Sequence, residues 1–150
     1  MEGRVNMDLK EELEVVQISI YCDIIPMLLK EHKTLSLVKL IVFSYLIKKE
    51  NIVQNSIFTS ANKKNIVNKY LSMLSGDLEN LFISYEYIIK AIHILIQNDV
   101  INSNGIFLST TNKKDFSDFV FKETDFTKKV IEKVKTMSDK QFMREVLSNV

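Results

Sequence analysis

Residues 84–109 read SYEYIIKAIHILIQNDVINSNGIFLS, and this stretch decides the fold. Its first part is a helix predicted to stop at Asn98-Asp99. Two strand-like pieces follow, Val100-Ile101 and Ile106-Phe107-Leu108, on either side of Asn104-Gly105, a strong short-range hairpin signal. A helix that delivers directly into a hairpin is the local signature of a winged-helix unit, a fold often used to read DNA. Between Tyr85 and Gln97 the polar side chains are Glu86, Lys90, His93 and Gln97, spaced i, i+4, i+7 and i+11. They form one narrow stripe on a helix otherwise made almost wholly of Ile, Leu, Ala and Tyr. A helix lying in a major groove needs Arg, Lys, Asn or Gln on its outward face to meet base edges. This one is expected to be packed on most of its sides.

The rest of the chain supports that reading. Its 150 residues are enough for one domain with a real core. Twenty basic and 19 acidic side chains leave a net charge of +1, so no global field draws the protein to nucleic acid or to a membrane surface. Arg4 and Arg144 are the only arginines. Arginine supplies the bidentate fork that reads guanine, so its scarcity weakens a sequence-reading role, although lysines still suit loose phosphate contacts. The longest apolar run, residues 35–47, is interrupted by Lys39 and is too short to span a bilayer. With no signal-peptide pattern at the start, the expected location is the cytoplasm. The richness in Ile, Lys and Asn fits an AT-rich, bacterial coding sequence.

Outward from the central stretch, the pattern predicts a mainly α, compact helical domain over residues 13–150, with a winged-helix-like helix plus short β-hairpin. Residues 1–12 are expected to be a flexible N-terminus. Residues 11–30 mix helix and strand spacing, with a break expected at Asp23 and a helical restart at Pro26. Thr34-Leu35-Ser36 offers an N-cap for a helix running to about Glu50 and apolar almost all round. A short extended piece is expected at Ser56-Ile57-Phe58. Ser60 is the expected cap of a helix over residues 62–74, ended by Gly76. A short turn or helical piece over residues 77–82 would then precede the long helix. Residues 116–121 are ambiguous. An amphipathic helix over residues 124–134 carries Phe126, Val130, Ile131 and Val134 on one side. A capping box, Ser138 with Gln141, opens a last helix with Phe142, Val146 and Leu147 turned inward.

Chemistry-bearing residues are few. His32 is expected at the surface of a helix end and His93 on the polar stripe or in the core; neither sits in metal-ligand spacing. Cys22 is expected to be an ordinary buried thiol, because its sequence neighbours offer no basic partner. Three glycines, at 3, 76 and 105, cannot build a phosphate loop, and nothing presents a strained serine elbow. The expectation is therefore no enzyme, no metal and no cofactor. Lys63, Lys64 and Lys69, with Lys128 and Lys129 and the nearby Lys133 and Lys135, form two groups that read as solvated faces or as contacts to a DNA backbone or an acidic partner. The positive signal is surplus apolar surface on the helices at residues 35–47 and 85–96, more than short neighbouring helices can hide. Leu40, Phe43, Tyr87 and Ile94, with Asn104 and Phe107 on the wing, are the candidate partner-binding residues. A homodimer core would explain the same surplus.

The order of these segments resembles the middle component of bacterial three-component ABC systems, the class that includes Lamassu-type antiphage defence. The segments that carry the resemblance are SLVKLIVFSYLIKK, ANKKNIVNKYLSML, YIIKAIHILIQNDVINSNGIFLS and FTKKVIEKVKTMSDKQFMREVL. The resemblance implies a non-catalytic accessory subunit bridging an SMC-like ATPase and an effector, often a nuclease, encoded in the same operon. ATP chemistry and any cleavage would belong to those partners, so no catalytic residue is implied here. The rival expectation is a winged-helix DNA-binding transcriptional regulator.

Overall fold

Asp8 caps the first helix, α1 (Leu9–His32), its carboxylate accepting from the Lys10 backbone N–H at 3.4 Å. The structure, a computed structural model, describes residues 8–52, 65–111 and 118–150. The helix therefore takes up residues 9–12 of the stretch expected to be flexible, and residues 1–7 lie outside the described set. The expected break at Asp23 is not there. Pro26 sits inside α1, where it costs the Cys22 carbonyl its i+4 donor, about 3 kcal/mol in an ordinary helix. Tyr21, Ile24, Ile25, Leu28 and Leu29 are all fully buried around it, and that burial, at about 1.5–3 kcal/mol per side chain, outweighs the lost bond. Asp23 does not end the helix; its two carboxylate oxygens accept from the backbone N–H groups of Val120 and Phe121.

Of the stretch expected to supply the next cap, Ser36 does so, and not Thr34. Thr34 opens a short strand, β1 (Thr34–Ser36), and Ser36 is the residue whose hydroxyl accepts from the Lys39 N–H at the start of α2 (Leu37–Ile52). Every residue of α2 from Lys39 to Ile47 is buried, so the helix expected to be apolar all round is the centre of the core. Beyond it come α3 (Ile66–Leu71), a 3₁₀ turn over Ser72–Leu74, and Gly76 in the left-handed region at φ 71°. The predicted extended piece at Ser56-Ile57-Phe58 and the predicted cap Ser60 fall outside the described residues. The long helix, α4 (Leu78–Gln97), starts well before Tyr85, absorbing the piece expected to be separate. Leu78 and Leu81 continue the same inward face as Ile88, Ala91 and Leu95, so nothing interrupts the period.

α4 ends at Gln97 as predicted, with Asp99 in the left-handed region, and leads into β2 (Ile101–Asn104) and β3 (Phe107–Thr110). Asn104 pairs with Phe107, which places the tight loop at Gly105-Ile106, one residue later than predicted. Gly105 takes φ 64° at the first loop position, a conformation open to glycine and costly for other residues. β1 pairs antiparallel with β3, giving the order β1-β3-β2. Helix, strand, helices, then a hairpin whose second strand returns to the first strand: this order is compatible with the winged-helix-like reading of the sequence. The mainly helical fold with a small antiparallel sheet agrees with the sequence reading.

Two more helices, α5 (Asp125–Val134) and α6 (Asp139–Asn149), close the body. Thr124, expected within the first of these, is instead its cap, accepting from Thr127 N–H; Ser138 caps the second as predicted, accepting from Gln141 N–H. Phe126, Val130, Ile131 and Val134 are all inward. On α6 Phe142 and Val146 are buried but Leu147 is not, contrary to its expected place. Phe43 of α2 joins these late helices, stacking on Tyr70 at 5.8 Å and on Phe142 at 5.6 Å, while Tyr70 meets Phe126 at 6.2 Å. Glu50 sits beneath them, accepting from the hydroxyls of Tyr70 and Thr127. Among the described residues no helix is long and apolar enough to cross a membrane.

Candidate functional site: an apolar groove beside the wing helix

The expected apolar surplus separates into two parts. Leu40 and Phe43, expected as partner-binding residues, are fully buried and hold the core together, because α1, α4 and α6 pack on α2 and Phe43 reaches Tyr70 of α3. The surplus of α4 remains at the surface: Phe82, Ile83, Tyr85, Ile94 and Ile96 are all exposed. Of the other expected contact residues, Tyr87 is half-buried, while Ile94, Asn104 and Phe107 are exposed, the last two opposite each other on the wing.

Where α4 meets α2 and α6, the surface dips into a groove of about 330 Å³. Val38, Ile41 and Val42 form its floor, Leu78, Leu81, Phe82 and Tyr85 one wall, and Met143, Val146 and Leu147 the other. Every lining residue is apolar or aromatic. Phe82 and Leu147, at 66% and 62% exposure, stand up at its two edges. Helical spacing puts Glu79 and Glu86 one turn either side of Phe82, and Lys140 and Arg144 one turn before Met143 and Leu147. All four charged residues are exposed. The groove therefore has a dry floor, an acidic border along α4 and a basic border along α6. Single exposed apolar side chains are ordinary, whereas a contiguous apolar groove with a charged border marks a binding surface.

Sequence reasoning missed Phe82 and Leu147. Phe82 fell in a segment read apart from the long helix, and Leu147 shares the inward period of Phe142 and Val146. The only local signal was the Leu78-Leu81-Phe82-Tyr85 spacing, which shows a stripe but not which neighbour leaves it uncovered.

Features that would suit DNA contact are missing from the same region. The wing, residues 101–110, carries no charged side chain. On α4 the one cation, Lys90, is held by Glu14 of α1 and by Glu86 at 3.5 Å. Of the lysines expected near a DNA backbone, Lys63 and Lys64 lie outside the described residues, and Lys69 is half-buried on α3. Lys128 pairs with Glu31 at 3.5 Å, and its neighbour Lys129 is exposed. Lys135 donates to the His32 carbonyl at 2.6 Å.

His32 itself is the largest departure from expectation. It is 1% exposed, with Nε2 2.7 Å from Glu123 Oε2 and Nδ1 2.7 Å from Glu132 Oε1. The partners come from 91 and 100 residues away, where α5 and the segment before it cross the end of α1, so local sequence could not reveal them. Burial pushes the imidazole pKa down, but the hydrogen bonds and charges of the two carboxylates outweigh it and hold the pKa above its ordinary value. Carboxylates on both nitrogens favour the doubly protonated ring, a clasp between the end of α1 and α5. His93 is exposed on the polar stripe of α4. Cys22 is half-buried, and burial raises its thiol pKa, which suppresses the nucleophilic thiolate.

Comparison of the chain with known protein families, with curated proteins and with solved structures finds no match. The groove must therefore be interpreted from its own chemistry.

Proposed function

We propose that the protein is a non-catalytic accessory subunit of a cytoplasmic complex, docking onto a larger partner through the groove between α2, α4 and α6. The observation that carries this reading is the groove's wholly apolar lining in a chain of near-zero net charge. The occupant that fits is an amphipathic helix of the partner, its apolar i, i+3, i+4 and i+7 face on the floor. Acidic residues on one flank would meet Lys140 and Arg144, and basic residues on the other would meet Glu79 and Glu86. The resemblance to the middle component of three-component ABC defence systems makes the partners an SMC-like ATPase and its effector. In that setting this chain supplies a bridge, while chemistry belongs to its partners. Co-expression with the products of the neighbouring genes tests the assignment. A stable stoichiometric complex is the expected result; recovery only as a free chain contradicts it.

The winged-helix order of elements favours a second reading, a DNA-binding regulator, and a separate measurement addresses it. No binding to duplex DNA is expected even at about 50 mM salt, because α4 and the wing offer no unpaired cation among their residues. Binding that weakens steeply as salt is raised, with a slope near −0.9 per phosphate contact, would restore the regulator.

A further inference from the structure

A second concavity lies between the first half of α1, the end of α2 and the first turns of α4, and none of its lining residues belongs to the groove described above. It holds about 480 Å³, within the range of small-molecule sites. Leu13, Ile52 and Ile83 line it, and each is more than half exposed. The polar end is built around two adjacent lysines with different fates. Lys49 Nζ donates to Asp77 Oδ2 and to the Met73 carbonyl, both at 2.7 Å. Tyr45 and Asn80 donate to the same Asp77 carboxylate, so its acceptor sites are largely taken. Among the described residues Lys48 Nζ finds the neutral Gln17 Oε1 and the face of Tyr21, 5.5 Å from the ring centroid. Among the described residues no carboxylate pairs with it. Burial also lowers its pKa, as expected of an ammonium with no anion beside it.

We propose that this cleft is a binding site for a small amphipathic carboxylate, its anionic head on Lys48 and its apolar tail along Leu13, Ile52 and Ile83. Lys48 supplies the charge-assisted donor, and Gln17 fixes the ammonium beside the cleft. Lys49 and Asp77 cancel each other, so the cleft carries one net positive charge and selects an anion. The three exposed apolar side chains reject an anion without a tail.

Titration of the whole chain with octanoate, followed by calorimetry, tests the site, with octanamide and inorganic phosphate as the neutral and tail-less comparisons. One saturable octanoate site is expected, with both comparison compounds at least about tenfold weaker. Lys48→Met is expected to weaken octanoate about tenfold or more, and Ile83→Asn, an exposed position, several-fold with the fold intact. Phe82→Ser, in the other groove, is expected to leave octanoate binding unchanged, which separates the two sites. Absence of saturable binding, phosphate binding as tight as octanoate, or full affinity in folded Lys48→Met would each overturn the proposal.

Discussion

Phe43→Ala is expected to destabilise the isolated chain by about 3–5 kcal/mol, the cost of truncating a fully buried aromatic residue. Phe43 stacks on Tyr70 and on Phe142, so its ring ties α2 to α3 and α6. Removing it opens a void bordered by elements that cannot collapse together, because each is fixed by other contacts. Tyr70 is held by Glu50 and Phe126, and Phe142 opens from the Ser138 cap. For a domain of this size the loss corresponds to a fall in melting temperature of roughly 6–20 °C. Chemical denaturation of wild type and variant measures it directly. The same experiment separates the two roles read for this residue. A core residue lowers the stability of the chain alone, whereas an interface residue would leave that unchanged and lower only partner affinity.

His32→Leu is expected to cost a similar amount, about 3–5 kcal/mol near neutral pH, because it leaves the Glu123 carboxylate buried beside a hydrocarbon. The Glu123 side chain is 1% exposed and its Oε1 already lacks a hydrogen-bond partner, so the imidazole is the main compensation for its charge. The wild-type clasp also carries a pH signature. The imidazole pKa is raised in the folded chain above the unfolded value near 6.5, so folding takes up proton affinity. The stabilisation it gives is complete below about pH 6.5 and is lost as pH rises through the raised folded value. Urea midpoints of wild type, followed upward from pH 6, should fall more steeply than those of His32→Leu. Parallel curves would show that His32 does not titrate between its two carboxylates.

These two residues also show what the sequence could and could not disclose. The wing helix, the hairpin, α5 and the cap at Ser138 were legible because their signals are local: periodicity, a glycine turn and a capping box. α1 was misread because Pro26 is a local breaker, overruled by the burial of Tyr21, Ile24, Ile25, Leu28 and Leu29 against elements distant in sequence. β1 escaped because Thr-Leu-Ser is too short to announce a strand without its partner, Phe107 to Ser109. Placing His32 at a helix end was correct, but its burial depends on carboxylates far along the chain. The apolar surplus was legible as a quantity. Its division between the buried Phe43 and the exposed Phe82 depends on which faces the short helices cover, and that is a property of packing.

The groove beside α4 makes the sharpest demand on experiment. Phe82→Ser combined with Leu147→Ser changes two residues that are mostly exposed at its edges, so the fold should be retained. Size-exclusion chromatography with light scattering, on the chain co-expressed with the products of its neighbouring genes, compares this double variant with wild type. Wild type is expected to elute within a larger complex and the folded double variant as a free chain. A double variant that stays in the complex, or a wild-type chain that never enters one, contradicts docking through the groove.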